Sequence, residues 1–187
     1  GAILIQPILL QATVVLMETF EVEKAFQLIE KEKVTLQLAA PAHYILELNH
    51  PSRSKYDLSS VRAGLIAGQI APAGLITQVE KEMNIYITSF WGASEVGPGL
   101  GIMCPYPSDL DTRENYVGLP VPGTEVRIVD PVSHEQVEDG ATGELTLRGW
   151  HMMKGYWERP EETGKQIIAK MPLPKDFRAC LRALGLT

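Results

Sequence analysis

The sequence predicts an α/β fold: a parallel sheet covered by helices over about residues 1–97, followed by a smaller β-rich segment over about residues 115–158. In the first part, short apolar runs of strand character alternate with amphipathic helical periods, which is typical of parallel sheets with helices on both faces. In the second part, polar and apolar residues alternate one by one, as in an antiparallel hairpin with one solvated face. The intervening residues 97–122 are rich in Gly and Pro and show no clear period.

The first elements follow from apolar periodicity. Residues 3–11 are expected to form a short buried helix, and the β-branched and apolar residues 13–17 a buried strand. Residues 21–33 carry four apolar side chains on one stripe, with glutamates in the first turn and lysines in the last, which predicts an amphipathic helix. A strand at 34–39 and a helix at 42–48, with a proline at its start, continue the alternation.

The alternation repeats before it stops. A polar, turn-rich loop at 49–60 precedes a third strand at 61–67, and a proline opens the helix at 72–83. Residues 85–90 form the fourth predicted strand. Further along, the two strands of the predicted hairpin are joined by a polar turn region. We therefore expect an α/β subdomain over 1–97, a β-rich subdomain of the same large domain over 98–169, and an unassigned tail over 170–187.

The composition excludes several functional classes. The 187 residues are 45% hydrophobic and 21% charged, which suits a folded domain with a real core. The net charge of −6, without any block of Lys or Arg, argues against a nucleic-acid or anionic-membrane partner. Two cysteines are too few for an extracellular disulfide framework, so we expect a reducing, cytoplasmic location. The apolar residues 1–17 lack the basic region of a signal peptide, and polar residues interrupt them too often for a membrane span.

Two segments lie where ligands bind in open parallel sheets, at the carboxyl ends of the strands. Residues 67–72 follow the third predicted strand, and residues 90–97 follow the fourth. Adjacent strands would bring these two loops together. Trp91 offers a flat face for a base, and Gly92 lets backbone approach a ligand closely.

The next two side chains suit a magnesium nucleotide. Ser94 supplies a hydroxyl for a phosphate oxygen, and Glu95 is a hard oxygen ligand of the kind that Mg²⁺ prefers. Many loops contain such residues, however. From these residues alone, a core Trp91 beside an ordinary turn is the better interpretation.

Several motifs in a fixed order favour the nucleotide site over the structural interpretation. Trp91-Gly92-Ala93-Ser94-Glu95 resembles the aromatic-Gly-X-Thr-Glu motif of the adenylate-forming superfamily, which includes acyl- and aryl-CoA ligases, luciferases and peptide-synthetase adenylation domains. Further matches resemble the family's Val-Thr…Pro, Leu-Ser-Ser-Leu-Arg, Gly-X-Pro-X-Pro-Gly, Gly-Glu-Leu, Gly-Tyr-Trp and Pro-Glu-X-Thr motifs. They lie at residues 34–41, 58–62, 117–123, 143–149, 155–157 and 160–163, respectively. The resemblance spans about residues 10–167, and ordered matches are far more specific than a single one.

The resemblance implies roles for individual residues. Ser94 would bind the α-phosphate in place of the family's Thr, Glu95 would hold Mg²⁺, and both count as catalytic. Trp91 would stack on adenine in place of the usual Tyr. The remaining residues of the adenine and acyl pocket would be Gly68, Gln69, Ile70, Gly92 and Ala93.

Other residues of the motifs are expected to be structural. The downstream glycines and Glu144 would serve turns and close packing, and Tyr156 and Trp157 would fill core. No histidine has a partner spacing typical of catalysis or metal binding, and His43, beside Tyr44, is expected to be packed or to face solvent.

The function implied is that of an ATP-dependent acyl- or aryl-CoA ligase, which converts a small-molecule carboxylate to acyl-AMP and transfers it to CoA, with ATP/AMP, Mg²⁺ and CoA as cofactors and fatty acid metabolism as the setting. The family's phosphate loop, its Thr-Gly-Asp motif and its C-terminal Lys-bearing domain have no match in the sequence. The chain is therefore expected to be a fragment that is inactive alone. An adenylation domain that loads a carrier protein, and a non-catalytic scaffold module, are the alternatives.

Overall fold

The computed structural model describes residues 7–97 and 101–167. The predicted tail at 170–187 lies outside the described residues. The chain divides into two compact units: unit 1 comprises Gly1–Gly92 with Ile102–Leu119, and unit 2 comprises Ala93–Gly101 with Pro120–Thr187. The predicted subdomains at 1–97 and 98–169 stay a prediction, because compact units are defined by contacts and not by independent folding.

Unit 1 is built on a mixed sheet. The strands β1 (Leu36–Ala39), β2 (Ala63–Ile66) and β3 (Tyr86–Trp91) are parallel neighbours, and β4 (Ile102–Met103) is antiparallel to β3. With β5 (Leu119–Pro120), the order across the five-stranded sheet is β1-β2-β3-β4-β5. The α/β fold with a partly parallel sheet is thus confirmed, and the carboxyl ends of β2 and β3 lie at the same edge.

The α-helices of unit 1 whose full extent lies in the described residues are α1 (Val22–Glu32), α2 (Pro41–Leu48), α3 (Leu75–Met83) and α4 (Leu110–Asn115). The first three correspond to the predicted helices. Helix α1 ends because Lys33 adopts a left-handed conformation, with φ 50°, that closes the last turn.

The core of unit 1 lies between these helices and the sheet. Its buried residues come from α1 to α3, from the three parallel strands and from the residues just before β2 and β3. They are Ile29, Ala39, Tyr44, Leu48, Val61, Ile66, Leu75, Ile76, Val79, Ile85 and Ile87. Burying each large apolar side chain contributes roughly 1.5–3 kcal/mol. This packing fixes the strand ends on which the site depends.

The first predicted strand is wrong. Residues 13–17 form no strand, and Leu16 is 68% exposed. A strand needs a hydrogen-bonded neighbour, and the residues that pair with β1 are those of β2. Residues 7–9 are helical as predicted, but the expected burial is also wrong, because Ile8 and Leu9 are exposed. An apolar run predicts burial only where a partner surface covers it.

Unit 2 contains the predicted hairpin. Strands β6 (Thr124–Val129) and β7 (Glu144–Gly149) pair antiparallel, with Thr124 opposite Gly149 and Val129 opposite Glu144. Unit 2 also includes a single 3₁₀ turn at Ser94–Val96 and the short helix α5 (Pro160–Gln166). Among the described residues of both units, no helix has the length and apolar character needed to cross a bilayer.

Candidate functional site

A cavity of about 320 Å³ lies at the carboxyl ends of β2 and β3 in unit 1. Three segments line it: residues 68–71 after β2, residues 89–92 at the end of β3, and residues 113–117 at the end of α4. The side chains of Ile66 and Ile76 complete the lining.

Five of the predicted pocket residues lie around this cavity: Gly68, Gln69, Ile70, Trp91 and Gly92. Ile70 is 95% exposed. The rule that neighbouring parallel strands bring their following loops together therefore located the cavity correctly. The ligand contacts of these residues stay a prediction.

Glu114, which lines the cavity, joins the end of α4 to the start of α3. Its carboxylate accepts hydrogen bonds from the backbone N–H of Gly74 at 3.0 Å and of Thr77 at 2.6 Å, and from Thr77 Oγ1 at 2.8 Å. These donors stand at the start of α3, where backbone N–H groups lack intrahelical partners. Burial raises the pKa of the Glu114 carboxyl, but the bonds from Thr77 and Gly74 outweigh it and leave the pKa lowered.

Arg113 is the one basic residue among those that line the cavity, all of which the structure describes. It is only 5% exposed, forms an ion pair with Glu80, and lies 4.1 Å over the ring of Tyr86. It also donates to the carbonyl of Ile87 at 2.7 Å. The Arg113 guanidinium is therefore already paired within the fold and is not available to bind an anion in the cavity.

Sequence reasoning missed both Glu114 and Arg113. Each acts on residues more than 25 positions away in the chain. Neither lies in a motif, and the Gly- and Pro-rich stretch around them has no period that predicts α4. No local signal would have found them.

The other predicted site residues, Ala93, Ser94 and Glu95, belong to unit 2. Glu95 lies in the 3₁₀ turn, and its Oε1 accepts a hydrogen bond from Tyr156 Oη at 2.5 Å. This bond lowers the pKa of the Glu95 carboxyl and raises the pKa of the Tyr156 phenol. Glu95 is therefore a carboxylate at neutral pH.

His151 anchors the end of the same turn. Its Nδ1 lies 2.9 Å from the carbonyl oxygen of Val96, and its Nε2 lies 2.5 Å from Thr124 Oγ1. Because a carbonyl only accepts, Nδ1 carries a hydrogen and donates it, while Nε2 shares a hydrogen bond with the threonine hydroxyl. Gly97 follows with φ 76°, and a Cβ there would lie 2.2 Å from the His151 carbonyl oxygen. His151 is thus a packed, hydrogen-bonded residue.

The expectation that Tyr156 and Trp157 fill core is wrong. Trp157 is 87% exposed, and Tyr156 is half-buried with its hydroxyl on Glu95. The large aromatic rings of both residues suggested burial, but a tyrosine hydroxyl also needs a hydrogen-bond partner. Tyr156 is therefore a functional candidate that the sequence did not reveal.

Glu95 suits a metal ion that enters bound to a substrate phosphate better than a metal ion that the protein holds by itself. Among residues 7–97 and 101–167, no group of three or more His, Cys, Asp or Glu side chains could hold a metal. Magnesium is commonly held by one or two carboxylates together with substrate phosphates, and does not need an all-protein cage. A single ionised carboxylate is enough for a magnesium ion that substrate phosphates also hold.

Comparison with known proteins adds a family and relatives. The AMP-binding enzyme family matches residues 1–157. The chain is 38% identical to the mitochondrial medium-chain acyl-CoA ligase ACSF2 of Danio rerio over 144 residues, which is 76% of this chain and 23% of that protein. It is 33% identical to the acyl-CoA ligase SID4 of Ajellomyces capsulatus over 155 residues, 81% of this chain and 26% of that protein.

Solved structures show the same fold. The anthranilate CoA ligase AuaEII in complex with anthranoyl-AMP matches 84% of this chain and 30% of its own, with a TM-score of 0.77 and 26% identity. The amide bond synthetase McbA from Marinactinospora thermotolerans matches 85% of this chain and 32% of its own, with a TM-score of 0.72 and 31% identity. The chain thus spans less than a third of each of these proteins.

Proposed function

This chain belongs to the AMP-binding enzyme family, and on that premise we propose that it is part of an ATP-dependent acyl- or aryl-CoA ligase. The observation that carries the proposal is the cavity of unit 1, which gathers Gly68, Gln69, Ile70, Trp91 and Gly92 at the ends of β2 and β3. The acyl-CoA ligase names of ACSF2 and SID4, and the anthranoyl-AMP bound by AuaEII, support it.

The cavity would bind the flat and apolar parts of the ligand. Trp91 presents an aromatic face on which adenine would stack, and the absence of a side chain at Gly68 and Gly92 leaves room for close approach. Ile66 and Ile76 give the cavity an apolar lining that suits an acyl or aryl group.

Ser94 and Glu95 would bind the phosphate end of the ligand. The Ser94 hydroxyl would donate to an α-phosphate oxygen, and the ionised Glu95 would hold Mg²⁺. When bound, the metal would neutralise phosphate charge. The protein's own part would be to hold these groups in place, since little covalent chemistry falls to protein side chains in such a transfer.

The reaction of the whole protein would have two steps. The substrate carboxylate oxygen attacks the α-phosphorus of ATP, which forms acyl-AMP and expels pyrophosphate. The CoA thiol, which loses its proton, then attacks the acyl carbonyl carbon and AMP leaves. The choice of CoA as acceptor, the cytoplasmic location and a role in fatty acid metabolism are parts of the same proposal.

Binding of Mg·ATP to the chain, followed by calorimetry, tests the proposal. Replacing Trp91 by Ala should weaken binding roughly tenfold or more, because stacking of a base on an aromatic side chain is worth about 1–3 kcal/mol. W91F keeps an aromatic face and should retain most of the affinity.

The exposed Trp157 provides a matched control, since it belongs to unit 2 and does not line the cavity. W157A should bind Mg·ATP like the unmodified chain. Failure of the unmodified chain to bind Mg·ATP, or equal affinity in W91A, would defeat the proposal.

A further inference from the structure

The backbone of the turn that carries Glu95 is fixed from the segment after β7. The Glu95 carbonyl accepts a hydrogen bond from Met153 N at 2.8 Å, and the next carbonyl, that of Val96, lies 2.9 Å from His151 Nδ1. All of these residues belong to unit 2. Two successive carbonyl groups are thus held, so the remaining freedom of Glu95 lies in its side chain.

Tyr156 removes much of that freedom. A glutamate side chain has several rotatable bonds, and restricting them costs conformational entropy. If the fold already restricts them, ligand binding does not incur this cost. The Tyr156 hydroxyl donates to Glu95 Oε1 at 2.5 Å and so defines the direction of the carboxylate. A carboxylate offers about four lone-pair sites, so a cation can bind it without breaking this bond.

Thr163 in turn holds Tyr156. The Tyr156 backbone N–H donates to Thr163 Oγ1 at 2.9 Å, and that hydroxyl donates to the carbonyl of Arg159, before α5, at 2.8 Å. A Cβ at Gly155 would lie 2.8 Å from Thr163 Cγ2, so the absence of a side chain there lets Thr163 approach the backbone. The threonine therefore fixes the backbone from which the Tyr156 ring projects.

We propose that Tyr156 is a positioning residue for Glu95 and that Thr163 supports it, so that a hydrogen-bonded chain from Thr163 through Tyr156 orients the carboxylate that takes up magnesium. The proposal rests on the proposed function for the role of the metal. It gives one physical reason why Glu95, Gly155, Tyr156 and Thr163 occur together in the sequence.

The test compares ATP affinity with and without Mg²⁺, measured by calorimetry on the whole chain. The ratio of the two Kd values is the metal-dependent gain. Y156F, which removes one hydroxyl, should reduce the gain about tenfold and leave the metal-free Kd unchanged, because a hydrogen bond to a charged group is lost at the metal ligand alone. E95Q should abolish the gain, and adding Y156F to E95Q should change nothing more.

Thr163 supplies an independent variant pair. T163V keeps the shape but loses the hydroxyl and should reduce the gain about threefold, whereas T163S keeps the hydroxyl and should restore it. The matched control is T142V, because Thr142 is exposed in the turn between β6 and β7. It should leave both Kd values unchanged.

The outcomes separate the two proposals. A metal-dependent gain that survives in both Y156F and T163V overturns the positioning role while leaving the proposed function intact. If the unmodified chain shows no gain, the proposed function fails, and the positioning role fails with it. If Y156F also weakens metal-free binding, its fold is disturbed, and the comparison of T163V with T163S then decides.

Discussion

At the scale of single residues, Glu47 of α2 stands out as a carboxyl group inside the core of unit 1. It is 0% exposed, and its Oε1 accepts a hydrogen bond from Gln37 Nε2 at 2.7 Å. Its Oε2 and Gln37 Oε1 are both buried without a hydrogen-bond partner. Burial raises the pKa of Glu47 to about 7, although the Gln37 bond acts in the opposite direction. A proton on Oε2 would remove the buried charge and supply a donor.

The stability of unit 1 should therefore fall as pH rises from about 4.5 to about 7. In the unfolded chain the Glu47 carboxyl titrates near 4.5, so the folded state binds more protons within this window and the unfolding free energy decreases with pH. The cost accumulates to roughly 3 kcal/mol above the window. Urea unfolding followed by circular dichroism at several pH values measures it.

The variant E47Q keeps the shape and cannot ionise, so its stability should show no such decline. E18Q, at an exposed position, should retain the decline of the unmodified chain. A decline of equal size in E47Q would assign the pH dependence to another group.

Single residues also show where sequence reasoning succeeds. Trp91, Gly92 and Gly68 could be predicted to lie together because strand periodicity fixes where each strand ends. The partners of Glu95, Glu114 and Glu47 could not, because each lies in a separate part of the chain and hydrogen-bonded pairs leave no periodic pattern.

At the scale of elements, Glu114 at the end of α4 is bonded to the start of α3 beside the cavity. The Glu114 carboxylate takes two backbone N–H groups and one hydroxyl at the start of α3, where the helix dipole also favours a negative charge. E114A should destabilise unit 1 by about 1–2 kcal/mol, since it leaves these donors without their acceptor. It should also speed hydrogen exchange at Gly74 and Thr77.

Asp111 provides the control for this change, because it is exposed on the same helix α4 and its bonds are to Asn115 within that helix. D111A should leave exchange at Gly74 and Thr77 unchanged. Acid should reproduce the effect of E114A: the pKa of Glu114 is lowered in the fold, so its stabilisation is present above the ordinary carboxyl pKa and is lost as pH falls through the lowered value. If E114A leaves hydrogen exchange at Gly74 and Thr77 unchanged, the bonds to Glu114 do not stabilise the start of α3.

Elements also explain why one part of the fold was predicted incorrectly. Residues 34–39 and 13–17 are both predicted as apolar strands, yet residues 36–39 pair with β2, whereas residues 13–17 form no strand and residues 13–16 are exposed. Local sequence reports strand propensity, whereas strand formation requires a neighbour that the local sequence does not specify. The antiparallel hairpin was predicted correctly because both partners and their turn lie within one short stretch.

At the scale of the whole molecule, two facts bear on activity. The chain spans 23% of ACSF2 and 26% of SID4, and the one basic residue that lines its cavity, Arg113, is already paired with Glu80. Attack on an α-phosphate requires cationic groups that neutralise the charge developing in the transition state. In the proposed function Glu95 would hold the metal, but the residues that line the cavity, all of them described, offer no free cation.

The isolated 187-residue chain should therefore bind Mg·ATP without catalysing ATP–pyrophosphate exchange with medium-chain or aromatic carboxylic acids. Stacking on Trp91 and a metal held by Glu95, as proposed, would suffice for binding, whereas exchange also needs charge neutralisation around the α-phosphate, for which the residues that line the cavity offer no free cation. Incorporation of labelled pyrophosphate into ATP measures the reaction, and E95Q sets the background. Calorimetry on the same preparation shows that a negative result does not come from unfolding. Exchange clearly above the E95Q level would mean that groups within this chain suffice for adenylation.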